Sequence, residues 1–83
     1  MNIYVGNLDF KVNENDLKDI FGDYGTVASV KIIIDKYSGR SKGFGFVEME
    51  NQNEGKKAIE ELNGATLENR ALKVNESRPQ KRY

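Results

Sequence analysis

The chain has 83 residues, with thirteen basic and thirteen acidic side chains, no cysteine and no histidine. That length makes one domain, of a size that buries only about 60% of the surface its unfolded chain exposes. The absent residue types remove disulfides, thiolate zinc sites and the commonest general base, and a mean hydropathy of −0.70 argues against a membrane span. With no apolar run at the N-terminus, no secretory signal is expected, and a reducing, cytoplasmic setting fits. Net charge is zero, so charge gives no support for nucleic-acid binding until its placement is known.

Ile3-Tyr4-Val5 reads as a short strand, with Ile3 and Val5 inward, Tyr4 outward, and Gly6-Asn7 ending it. Asn7 is read as a turn residue, and Leu8 and Phe10 are expected to cap the core from the loop. A helix follows. Asn13 is placed to N-cap it with Asp16 three residues on, and Val12 to staple onto Leu17. Leu17, Ile20, Phe21 and Tyr24 then recur at i, i+3, i+4, i+7 as one apolar face, which assigns both aromatics to the core. Gly25 is the expected left-handed stop. The acids Glu14, Asp16, Asp19 and Asp23 on the other face need no explanation beyond solvation.

Val27 to Ile34 forms the second strand, with Val30, Ile32 and Ile34 on one face and Ser29, Lys31 and Ile33 on the other. A turn-rich loop, Asp35 to Ser41, leads directly into the next strand, so the two are expected to form an antiparallel hairpin. Lys36, Arg40 and Lys42 make this connection basic, and Tyr37 stands at its tip. A second helix opens at Asn51 with Glu54 in the capping-box position. Gly55, Ala58, Ile59 and Leu62 face inward, and Asn63-Gly64 ends the helix. Close helix–sheet approach is the simplest reason for Gly55. Asn69 suits a left-handed turn position, and Ala71 to Glu76 is the last strand, with Leu72 and Val74 inward and Lys73 and Asn75 outward. Residues 78–83 carry Arg78, Lys81 and Arg82 without an acid and are read as a basic tail on a domain of residues 1–77.

Strand, helix, two strands, helix, strand is an α+β order. It is expected to fold as a ferredoxin-like βαββαβ sandwich, a four-stranded antiparallel sheet with two helices on one face. The strand Lys42 to Met49 then becomes decisive. Gly45, Val47 and Met49 supply its core face, which leaves Phe44, Phe46 and Glu48 on the face without helices. Tyr4, Lys31, Ile33, Lys73 and Asn75 share that bare face. Exposed flat rings beside lysines suit unpaired bases, since every base has a π-face and brings a phosphate. Burial of the strand on both sides is the competing reading, and few helices remain to cover a second face.

Lys42 to Met49 resembles the octamer of the RNA-recognition motif family at every defined position except the last, where Met49 replaces Phe or Tyr. Ile3 to Leu8 resembles the family's hexamer, and the resemblance extends over about residues 1–77. The chain is similar in length to short single-domain bacterial members. The resemblance implies base stacking at Tyr4, Phe44 and Phe46 and a basic contact at Lys42. Met49 points inward by strand parity, so its departure bears on packing. The expectation is a non-catalytic monomer binding single-stranded RNA, with single-stranded DNA a second candidate and no cofactor, metal or membrane. Its expected site residues are Tyr4, Phe44, Phe46, Lys42, Arg40, Lys31, Lys73, Asn75 and Arg78. The alternatives are a protein-interaction module of the same shape, whose usual sign is loss of the exposed rings, and a small enzyme on the same architecture. No catalytic constellation favours the latter.

Overall fold

A computed structural model describes residues 1–77. Arg78 and the rest of the tail expected at 78–83 lie outside the described residues. The element order is β1 (Asn2–Gly6), α1 (Glu14–Gly22), β2 (Val27–Ile34), β3 (Ser41–Met49), α2 (Gln52–Leu62), β4 (Thr66–Leu67), β5 (Arg70–Ala71) and β6 (Lys73–Ser77). Four strands form an antiparallel sheet in the order β2-β3-β1-β6, so β3 and β1 are central and β2 is an edge. This is the expected ferredoxin-like order, with one short two-stranded hairpin added.

The core lies on one side of the sheet only. Ile3 and Val5 of β1, Val47 and Met49 of β3 and Val74 of β6 are completely buried there, against Leu17 and Phe21 of α1 and Ala58 of α2. The α1 start is the predicted capping box. The Asn13 side chain accepts from the Asp16 N–H (2.9 Å), while the Asp16 carboxylate accepts from the Asn13 N–H (3.1 Å). Asn51 caps α2 by one half of that arrangement, its side chain accepting from the Glu54 N–H at 3.0 Å, while the Glu54 side chain expected to complete a capping box lies against Gly25.

Several local expectations change. Gly25 is not left-handed. Helix α1 ends at Gly22 with Asp23 in the right-handed region, and Gly25 instead leaves room for the Glu54 side chain. Tyr24 is half-buried at the core margin, its hydroxyl donating to Glu61 at 3.4 Å. Gly55 is buried and accommodates the Met1 side chain, which a Cβ would strike. Ala71 does not join the last strand. Glu68 and Asn69 both adopt positive φ (52° and 64°), the mark of a tight two-residue hairpin turn, and this folds Ala71 back onto Thr66. Leu72, buried between the two strands, donates its N–H to Ala65.

Irregularities in the β2–β3 pairing decide what faces where. Val27 pairs with Met49 and Ser29 with Glu48, so Ala28 is an extra residue on β2. At the other end, Ile32 pairs with Gly45 but Ile34 with Ser41. The additional residues on β3 are accommodated at Gly43, whose φ is +88°. Gly45 has another role, because a Cβ there would run into the backbone of Lys31 and Ile32. The glycines of this strand therefore shape the backbone, in addition to any clearance they give the neighbouring rings.

Two glycine substitutions should act in opposite directions. Gly45→Ala should destabilise the protein by about 1–3 kcal/mol or more in urea unfolding, because the obstruction is backbone that cannot rotate away. Gly22→Ala meets nothing within 4 Å and should stabilise by up to about 1 kcal/mol. A Gly45→Ala variant as stable as the parent would contradict the packing described for β2 and β3.

Candidate nucleic-acid interface

Alternation along four paired strands places side chains in rows across the helix-free face. One complete row runs Lys31, Phe46, Tyr4, Asn75, a residue from each of β2, β3, β1 and β6. Phe44, Gly6 and Lys73 make the next row toward the β2–β3 loop. On the opposite side lies the row Ser29, Glu48, Asn2, Ser77.

The three rings form a cluster in the middle. Tyr4 and Phe44 have centroids 6.0 Å apart and planes tilted by 30°, and Phe46 meets Tyr4 at 5.9 Å and 65° and Phe44 at 6.2 Å and 88°. Gly6 explains part of this arrangement, since any Cβ there would occupy the place of the Tyr4 ring. All three rings are half-buried, sheltered by one another while both helices pack on the far side. The residues alternating with the phenylalanines, Gly45, Val47 and Met49, are buried. Burial of β3 on both sides is thus excluded, and Met49 belongs to the core as strand parity predicted.

Charge placement completes the site. Lys31, Lys73 and Lys42 are exposed on or beside the open face, and Arg40 is exposed in the β2–β3 loop. Among the described residues the recorded ion pair is Lys57 with Glu61 on α2, at 3.9 Å. Lys31, Lys42, Lys73 and Arg40 form no such pair among the described residues, though the charge of Lys42 acts on the Asp35 carboxylate. Glu48 is the acid on the open face, and its carboxylate accepts from the Ser29 hydroxyl at 3.3 Å. The loop bearing Arg40 is ordered by Asp35, whose carboxylate accepts from the Tyr37 N–H (2.8 Å) and Ser38 N–H (3.3 Å). Those bonds, with the charge of Lys42, hold the Asp35 carboxyl below its ordinary range. Its contribution to the loop is full above the unfolded carboxylate pKa and is lost as pH falls through the lowered value.

Tyr4, Phe44, Phe46, Lys31 and Asn75 come together as expected, with Lys73 in the adjoining row. Arg40 does not lie in these rows. It lines a cleft beyond the β2 edge. Asn7 is a turn residue, with φ 59°, its amide donating to the Ala71 carbonyl at 2.7 Å. The expectation that Phe10 caps the core fails: it is 66% exposed, while Leu8 and Val12 are buried. A turn at Asp9 is the cause, its backbone and side-chain oxygens accepting from Val12 and Lys11. The reading of Phe10 as a core cap beside Leu8 does not survive that turn, and Asp9 was the available signal.

The family model described as RNA recognition motif matches residues 3–73. The chain belongs to that family. It is 48% identical over 79 residues to RbpE of Nostoc sp., a protein named as a candidate RNA-binding protein, covering 95% of this chain and 80% of the relative. Its fold matches the crystal structure of RNA-binding protein PG1 with a TM-score of 0.91 at 50% identity, over 96% of this chain and 99% of that one. The RNA recognition motif of Rna15, solved with bound GU RNA, matches at a TM-score of 0.82 and 32% identity, over 92% and 81% of the two chains.

If the rings are a surface cluster, removing one forfeits ring–ring contacts worth about 1–2 kcal/mol and opens no cavity. Met49→Ala, in the core directly behind, should cost about 2–5 kcal/mol. Urea denaturation of Tyr4→Ala, Phe44→Ala, Phe46→Ala and Met49→Ala should separate the two classes. Ring variants as damaging as Met49→Ala would contradict the surface assignment.

Proposed function

We propose that this protein binds single-stranded RNA, without catalysis, across the helix-free face of its sheet. The observation that carries the reading is the cluster of Tyr4, Phe44 and Phe46, three partly exposed rings with the exposed cations Lys31, Lys42 and Lys73 on or beside the same face. A soluble domain gains nothing from presenting such a cluster to water, whereas unpaired bases stack on it at about 1–3 kcal/mol each. Lys31, Lys42 and Lys73 sit where the phosphates of stacked nucleotides would run, and Asn75 offers amide donors and an acceptor to a base edge beside Tyr4. Family membership and the RNA-bound Rna15 neighbour support the same assignment.

In this reading residues 1–77 form the binding domain, acting as a monomer in the cytoplasm. Residues 78–83, with Arg78 at their start, would add positive charge to the RNA contact. Single-stranded DNA would stack on the same rings and lacks only the 2′-hydroxyl contacts. The retained rings favour RNA over a protein partner as the occupant of this face.

Replacing Tyr4, Phe44 or Phe46 by Ala should each weaken binding of a short RNA by about 1–3 kcal/mol, roughly fivefold to over a hundredfold, as read by fluorescence anisotropy on folded variants. Lys57→Ala, on α2 and away from the sheet face, should leave affinity within about twofold of the parent. Phe44→Ala and Phe46→Ala proteins that bind as well as the parent would refute the stacking mechanism.

A further inference from the structure

β2 is an edge strand, and its composition makes that edge a hazard. Five of its eight residues are Val or Ile, Lys31 is its only charge, and it holds no proline. A strand of that kind at the edge of a sheet is a template for another chain. Two open depressions run along it. A cleft of about 520 Å³ lies at the end that carries Ile32 and Ile34, and a smaller one of about 200 Å³ at the end that carries Val27 and Ala28. Phe10 and Ile34, 66% and 50% exposed, stand at the larger one. Glu14, the first residue of α1, is the one residue that lines both.

Glu14 is exposed, yet its carboxylate is not left to water alone. It accepts from the Ile32 N–H at 3.2 Å. A strand N–H that reaches α1 points away from β3, so it belongs to the outward row of groups that a further strand would use. Its place along β2 matters. The extra residue Ala28 interrupts one end, and pairing with β3 is irregular again between Ile32 and Ile34. Ser29, Val30, Lys31 and Ile32 form the regular stretch between. An incoming strand that docked there would need the N–H that Glu14 holds. Helix formation does not require this bond. An acid in the first turn suits the helix end without reaching a neighbouring strand, and the Asn13–Asp16 capping box already completes that end.

We propose that Glu14 closes the β2 edge against the β2 strand of a second copy, and that this contact keeps the protein monomeric. A second copy is the occupant because the edge complements itself. Two β2 strands related by a two-fold axis run antiparallel, which sets the Ile34 end of each beside the Val27 end of the other. The exposed Phe10 and Ile34 of one copy would thereby meet the depression lined by Val27, Ala28 and Val30 on the other. Pairing would strip both Glu14 carboxylates of their strand N–H and crowd them at the same junction, a cost the closed monomer avoids. The inference concerns the edge of the sheet and stands whether or not RNA occupies its face.

The test joins sedimentation velocity over a wide concentration range with amide hydrogen exchange at Ile32, read by NMR. The parent should sediment as a monomer throughout, with an Ile32 amide protected to the same degree at every concentration. Glu14→Ala removes the cap, and Glu14→Asp keeps the acid at the start of α1 but falls one methylene short. When dilute, both variants should exchange the Ile32 amide about tenfold faster than the parent or more, the effect of losing a hydrogen bond to a charged group. At high concentration both should form dimers and regain that protection. Glu14→Gln, which keeps the length and an acceptor oxygen, should behave as the parent does. A parent that dimerises, or whose Ile32 amide is unprotected, would overturn the proposal without recourse to any variant. Glu14→Ala and Glu14→Asp proteins that stay monomeric would also overturn it, as would dimers whose Ile32 amide remains unprotected, because the contact would then lie elsewhere. So would a Glu14→Gln protein that associates like Glu14→Ala, since the hydrogen bond would not be what closes the edge.

Discussion

A two-layer domain of this size has one sheet face that it cannot bury, and everything functional here follows from how β3 divides its side chains between the two faces. Period-two alternation leaves no freedom once Val47 and Met49 are committed to the core. Phe44 and Phe46 must then stand on the other side, and a slip of one residue would exchange the sets. The pairing of β3 with β1 brings Tyr4 beside Phe46 and Gly6 beside Phe44, so the ring cluster is assembled by register. The central position of β3 makes that register hard to change, since both of its edges are hydrogen-bonded.

Glycine sets the geometry that alternation alone would not give. Gly45 lets the β2 backbone come close, and Gly43 absorbs the extra residues of β3 in a left-handed conformation. The result is a hairpin whose loop brings Arg40 to the cleft beyond the β2 edge, while Lys31 stays in the row of the rings. Zero net charge is compatible with this. Many acids lie on the helices and in the Asp35 turn, where they cap or solvate, while on the open face Glu48 stands with Lys31 and Lys73 and with Lys42 beside it. Binding of a polyanion depends on that local imbalance and not on the total.

Where one physical signal dominated, the sequence was readable. Alternation placed the faces of β1 and β3, and Asn-x-x-acid signatures located both helix starts within a residue. The ring cluster followed from those two facts and the element order. Non-local close approach was not readable: Gly25 looks like a helix stop, yet it serves the Glu54 side chain from α2. Nor was the fate of Ala71, since consecutive left-handed residues at Glu68 and Asn69 redirect a segment that alternation alone would extend. Phe10 combines both difficulties. Its exposure depends on a turn one residue earlier, and its neighbour Ile34 arrives from β2 through an irregular register. The cleft was therefore invisible until distant segments were brought together.

The central claim is that bases stack on a specific trio of rings, and nuclear Overhauser contacts between ring and base protons report it directly. With side-chain-labelled protein and a short unlabelled RNA, the account predicts intermolecular contacts from Tyr4, Phe44 and Phe46 to base protons. Backbone amide shift changes should follow the two rows that contain those residues. Ring protons that show no contact to RNA, with amide shifts confined to the exposed faces of α1 and α2, would contradict it.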